Sequence, residues 1–66
     1  MRVTVNGDPV EIHDGATLRD LILALGQQPE RLVASVNDSI VRHKVYAETP
    51  VQDGDVIVLL AFVGGG

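Results

Sequence analysis

Val56-Ile57-Val58-Leu59-Leu60-Ala61-Phe62-Val63 is an apolar run of eight residues that leads directly into Gly64-Gly65-Gly66. Its length suits a strand and is far short of the roughly 20 residues that span a membrane, so no membrane segment is expected. Alternation divides it into Ile57, Leu59, Ala61 and Val63 on one side and Val56, Val58, Leu60 and Phe62 on the other. Both sides are apolar, unlike the half-polar pattern of an antiparallel sheet with one wet face. Either the second set is exposed as an interaction strip, or the domain's own loops cover both faces. The three glycines lack Cβ atoms, so they form a thin thread whose backbone can enter a narrow channel. Such a thread, expected to be disordered from Gly64 onward, suggests a carboxyl terminus that is itself a substrate. The plainer alternative is a frayed chain end.

Upstream of this run, Val3 and Val5 alternate with Arg2 and Thr4 as in a half-buried strand. Asn6-Gly7 follows, the strongest short hairpin signal because both residues tolerate positive φ. Val10 and Ile12 then point inward and Glu11 and His13 outward, completing an antiparallel hairpin. After the Asp14-Gly15 turn, Thr17 supplies an N-cap and Asp20 complements it three residues on. Leu18, Leu21, Ile22 and Leu25 form one helical stripe, and Gly26 stands where a left-handed C′ residue stops a helix. Pro29 prevents the helix from resuming across the connector Gln27–Arg31.

Leu32–Val36 reads as a third strand with Leu32, Ala34 and Val36 inward, and Ser39-Ile40-Val41 as a short fourth one after the Asn37-Asp38 turn. Residues 42–50 are polar and irregular, with room for one helical turn around Lys44-Val45-Tyr46. Asp53-Gly54-Asp55 turns the chain into the final strand. The order strand, strand, helix, strand, short strand, strand is solved by placing the last strand parallel to the first, with the helix packed diagonally across one face. That is an α+β β-grasp fold with a mixed sheet of four to five strands and one main helix. The domain is expected over residues 1–63, with 64–66 as a tail.

Composition narrows the function. A single domain of 66 residues with no Cys has no disulfide, no thiolate metal site and no cysteine nucleophile of its own. This permits a reducing cytoplasm, and Met1–Asn6 reads as a strand instead of a secretory signal. Five Lys and Arg against nine Asp and Glu give a net charge of −4, which disfavours nucleic-acid binding and suits a basic partner surface. One Phe, one Tyr and no Trp leave no platform for stacking bases. His13 and His43 are isolated, and no metal site is expected. Asp53 and Asp55 are explained by their turn, Asp14 and Asp20 by the helix start. Arg42 and Lys44 either meet acidic groups on a partner or lie in a solvated loop.

Val5-Asn6-Gly7, Gly15-x-Thr17-Leu18, Asn37, Asp53-Gly54-Asp55 and the Gly-Gly end together resemble the ThiS sulfur carriers of thiamine biosynthesis, which belong with MoaD and the ubiquitin-like proteins. Gly65-Gly66 match that family's ending, and Gly64 is additional. The resemblance implies that an ATP-dependent, ThiF-like adenylyltransferase converts the Gly66 carboxylate to an acyl-adenylate. Sulfur from a donor such as a cysteine desulfurase then displaces AMP, and the Gly66 thiocarboxylate supplies sulfur to a ThiG-like thiazole synthase. The chain would be a protein co-substrate and not an enzyme, and would bind no cofactor, the ATP being used by its partner. The ubiquitin-like register implies that Ile57 and Leu59 are core, so that Val58, Leu60 and Phe62 form an exposed strip which, with Val63, Gly64 and Gly65, meets the partners. The alternatives are a MoaD-type carrier for molybdopterin or cysteine synthesis, a modifier conjugated to lysines, and a non-covalent β-grasp binding module.

Overall fold

A computed structural model describes residues 1–61 of the chain. Its elements are β1 (Arg2–Val5), β2 (Asp8–Glu11), α1 (Leu18–Ala24), β3 (Leu32–Val36), β4 (Ser39–Val41) and β5 (Val56–Ala61), with 3₁₀ turns at Pro29–Arg31 and His43–Glu48. The sheet order is β2-β1-β5-β3-β4. β5 runs parallel to β1 and antiparallel to β3, while the outer pairs are antiparallel hairpins. This is the β-grasp arrangement expected from the order of elements, with five strands in the mixed sheet. The part of the last strand expected beyond Ala61, and the tail at 64–66, lie outside the described residues.

Both hairpins turn through residues of positive φ: Asn6 (51°) with Gly7 (89°), and Asn37 (50°) with Asp38 (71°). Two successive positive φ values make the tight turns whose twist matches that of the flanking strands. β2 is shorter than the alternation suggests, ending at Glu11. Ile12 nevertheless continues the pairing by donating its N–H to the Met1 carbonyl at 2.9 Å.

The helix starts where its caps dictate. Thr17 is the N-cap: its hydroxyl accepts from the Asp20 N–H at 3.1 Å, and its own N–H donates to the Asp20 carboxylate at 3.0 Å. The reciprocal pair satisfies amides that no helical carbonyl can reach. The Thr17 amide, and secondarily its hydroxyl, hold the Asp20 carboxyl below its ordinary pKa. The start is also tied down from outside, because Leu18 N–H donates to the Thr49 carbonyl and Val51 N–H to that of Ala16.

Leu18, Leu21 and Ile22 press onto Val3, Val5, Leu32, Ala34, Ile57 and Leu59, all buried. The 3₁₀ turn His43–Glu48 closes the core with Tyr46, which is 1% exposed and donates its hydroxyl to the Leu32 carbonyl at 2.9 Å. Burying an aromatic ring of this size stabilises the fold by roughly 1.5–3 kcal/mol. The hydrogen bond removes the penalty of sequestering its polar end. Burial also pushes the Tyr46 phenol above its ordinary pKa. Periodicity gave no sign of this role, since Tyr46 lies in a short segment read as irregular, with no repeat long enough to assign it a face.

Candidate functional site

β5 is the central strand of the sheet, and its alternation separates two environments. Ile57 and Leu59 are buried beneath the helix, whereas Val56, Val58 and Leu60 are exposed on the opposite, open face, Leu60 at 62%. The expected placing of Val58 and Leu60 on an exposed strip therefore agrees with the structure. Ala61 is exposed at the end of the strand. Phe62, Val63, Gly64, Gly65 and Gly66, the other expected contact residues and the expected acyl carrier, lie outside the described residues.

The strip is wider than the last strand. Leu60 pairs with Val33 and Val58 with Ser35 across β3–β5, and Ser35 pairs with Ile40 across β3–β4. Val33 and Ile40 are exposed, the latter at 76%. Exposed apolar side chains thus extend over three neighbouring strands from Val56 to Ile40. The signal for Val33 was present in the sequence, since it alternates with the inward Leu32 and Ala34. Ile40 lies in a strand of three residues, too short for alternation to assign a face.

The backbone beneath the strip is fixed at both ends by asparagine side chains. Where β1 stops, the Asn6 carboxamide continues its ladder: Leu59 N–H donates to Asn6 Oδ1 at 2.9 Å, and Asn6 Nδ2 donates to the Leu59 carbonyl at 3.1 Å. At the other end, Val56 N–H donates to Asn37 Oδ1 at 2.9 Å and Asn37 Nδ2 to Asp55 Oδ1 at 3.0 Å. Asp55, buried in its turn, also accepts from the Gln52 N–H at 2.8 Å. A strand held in this way presents its exposed side chains in one direction.

The flanks hold little that could do chemistry unaided. Arg2 is paired with Glu11 at 2.6 Å, which raises the guanidinium pKa, and its N–H donates to Asp53. His43 stands edge-on to the Tyr46 ring, with centroids 6.4 Å apart. Among the described residues, no group of three or more His, Cys, Asp or Glu is placed to hold a metal ion, and no helix is long and apolar enough to cross a membrane. On the helix side, an open groove of about 360 Å³ adjoins the end of β5, lined in part by Val5, Asn6, Leu25, Leu32 and Ala61.

Comparison with known proteins gives a consistent answer. A family model described as the ThiS family matches residues 3–66. The sulfur carrier protein ThiS of Escherichia coli is 30% identical over 66 residues, which cover the whole of both chains. A thiazole synthase of Magnetococcus marinus is 33% identical over the full length of this chain, which spans only 20% of that relative. A second thiazole synthase, from Paramagnetospirillum magneticum, matches in the same proportion at 32% identity. The crystal structure of a thiamine biosynthesis protein (ThiS) from Geobacter metallireducens superimposes with a TM-score of 0.84 at 32% identity, covering all of both chains.

Proposed function

The chain belongs to the ThiS family, and from that premise we propose that it is a sulfur carrier for thiazole formation in thiamine biosynthesis, with the Gly66 carboxylate as the acyl group that bears the sulfur. What carries the proposal is that the family match runs through Gly65 and Gly66, a few residues along the chain from a strand that offers Val58 and Leu60 to solvent. An exposed apolar strip next to a thread without side chains suits docking of the body while the terminus enters another protein's site.

The chemistry follows from the state of the acid. A terminal carboxyl has a pKa of about 3.3–3.7, so at neutral pH it is an anion and a poor electrophile. An adenylyltransferase of the ThiF kind makes it reactive: a carboxylate oxygen attacks the α-phosphorus of ATP, pyrophosphate leaves, and the mixed anhydride with AMP forms. A persulfide sulfur, delivered by a cysteine desulfurase or an equivalent donor, attacks the acyl carbon and expels AMP. Reductive cleavage of the resulting acyl disulfide by a thiol leaves the thiocarboxylate, which a thiazole synthase consumes. In this scheme the chain supplies no general acid, base or nucleophilic side chain; it is a co-substrate, and ATP is bound by its partner. Val58, Leu60, Phe62 and Val63 dock, and Gly64 and Gly65 let the terminus through. The two thiazole synthases that carry a stretch similar to this chain support the synthase as a partner. The setting is a reducing cytoplasm.

One added residue tests the proposal. A chain extended by a single alanine after Gly66 keeps its fold and docking strip but moves the acid group away from the reacting position. With adenylyltransferase, sulfur donor and thiazole synthase present, this form yields no thiazole product. A product yield equal to that of the unextended chain contradicts the carrier role and favours a binding module, which needs no free terminus.

A further inference from the structure

The five Lys and Arg residues of this acidic chain divide into two groups. Arg2 is paired with Glu11 at 2.6 Å and Arg19 with Glu30 at 3.6 Å. Arg31, Arg42 and Lys44 have no carboxylate within 4.0 Å among the described residues. These three stand on adjoining segments: Arg31 ends one 3₁₀ turn, Lys44 lies in the other, the two turns pack together, and Arg42 joins β4 to the second. His43 lies between the last two.

This cluster borders the open-face strip. Arg42 and Lys44 line an open groove of about 280 Å³ together with Val33, Ile40 and Tyr46. Val33 is the cross-strand partner of Leu60. From Leu60 the exposed apolar surface therefore passes to Val33 and Ile40 and ends in cations that no carboxylate of the described chain neutralises. The other border differs, since the Arg2 charge beyond β5 is already matched by Glu11.

An apolar centre with one cationic edge restricts what can cover it. A second copy meeting this surface about a two-fold axis would bring like patches into one interface, with unmatched cations on both sides. A neutral cover would desolvate Arg42 and Lys44 without return. We propose that the partner docking on this strip, the thiazole synthase of the carrier reading, presents carboxylates opposite Arg42 and Lys44 at the edge of its apolar contact. The proposal rests on the docking role assigned to Val58 and Leu60. It also gives the net charge of −4 a use: an acidic-edged partner repels most of this molecule's surface and is attracted at one edge, which orients the encounter.

The test measures binding of the purified synthase from the same genome to wild type, Arg42→Glu, Lys44→Glu, Arg19→Glu and Leu60→Ala, at low salt and near 1 M salt. Each variant is first shown to keep the wild-type urea midpoint within error. At low salt, Arg42→Glu and Lys44→Glu each weaken binding by about 5- to 20-fold, mainly through association rate, and Arg19→Glu, with the same charge change on the helix side, by less than about 2-fold. Near 1 M salt, where the Debye length falls to about 3 Å, the Arg42 and Lys44 losses shrink toward unity. Leu60→Ala weakens binding by about 10-fold or more at either salt. If Leu60→Ala loses affinity while both reversals bind as wild type, gain affinity, or lose no more than Arg19→Glu, the acidic edge is wrong and the docking face stands. If Leu60→Ala binds as wild type, the docking role fails and takes this inference with it.

Discussion

Replacing Asn6 isolates the device that holds β5 near the end of the described strand. Its side chain accepts from the Leu59 N–H at 2.9 Å and donates to the Leu59 carbonyl at 3.1 Å, and its φ is 51°. Each part-buried hydrogen bond contributes about 1 kcal/mol net, and a peptide left without its partner adds to the loss. Asn6→Gly removes both bonds but accepts the positive φ, adding about 0.5–1 kcal/mol of backbone entropy. Asn6→Ala removes both bonds and also forces an alanine into the left-handed region, at about 1–2 kcal/mol. The expected losses are about 2–3 kcal/mol for Gly and about 3–4 kcal/mol for Ala. For a domain of this size 1 kcal/mol corresponds to roughly 4–8 °C, so Asn6→Gly lowers Tm by about 10–20 °C. Urea titration gives the free energies, and hydrogen exchange at the Leu59 amide reports the local bond. An Asn6→Gly protein as stable as wild type, or unchanged protection at Leu59, would refute the role assigned to the carboxamide.

Three further outcomes are expected. Tyr46→Phe deletes the donor to the Leu32 carbonyl and costs about 1 kcal/mol, read as a lower urea midpoint at unchanged slope; no change would mean that the hydroxyl is not needed in the core. Asp20, whose folded pKa is depressed by Thr17, contributes stability that is complete above its unfolded value of about 3.9 and is lost as pH falls through the folded value. Asp20→Asn therefore makes the acid limb of the stability–pH curve shallower, and identical curves would contradict the capping assignment. Gly66→Ala crowds the carbonyl that phosphate and then sulfur must approach, so pyrophosphate exchange by the adenylyltransferase falls sharply while the folding midpoint stays put; activation at the normal rate would defeat the steric reasoning.

Much of this molecule is legible in one dimension because local chemistry decides it. Asn6-Gly7 and Asn37-Asp38 are among the few dipeptides that accept two positive φ values, so the hairpins follow from residue type. Thr17 with Asp20 fixes the helix start and Gly26 lies just past its end. Strand parity separated Ile57 and Leu59 from Val58 and Leu60, and the register of the resembled family, not the apolar pattern, implied that the first pair is inside, as it is. The illegible parts depend on contacts between distant segments. Tyr46 is buried because a polar turn folds over the open end of the core, which no periodicity announces. Asn6 and Asn37 read as turn residues, yet their side chains also pair with β5, more than 50 residues from Asn6 and 19 from Asn37. Ile40 enters the exposed strip only through register with Ser35. The cationic edge appears only once Arg31, Arg42 and Lys44 can be separated from the paired Arg2 and Arg19.

The most direct test is the intact mass of the protein after incubation with its adenylyltransferase, ATP and a sulfur donor under reducing conditions, followed by fragmentation of the carboxyl-terminal peptide. The expected product has one oxygen of Gly66 replaced by sulfur and no change elsewhere. A mass that stays unchanged while the same enzymes convert the Escherichia coli carrier, or a product in which Gly66 is joined to a lysine, would contradict the carrier role.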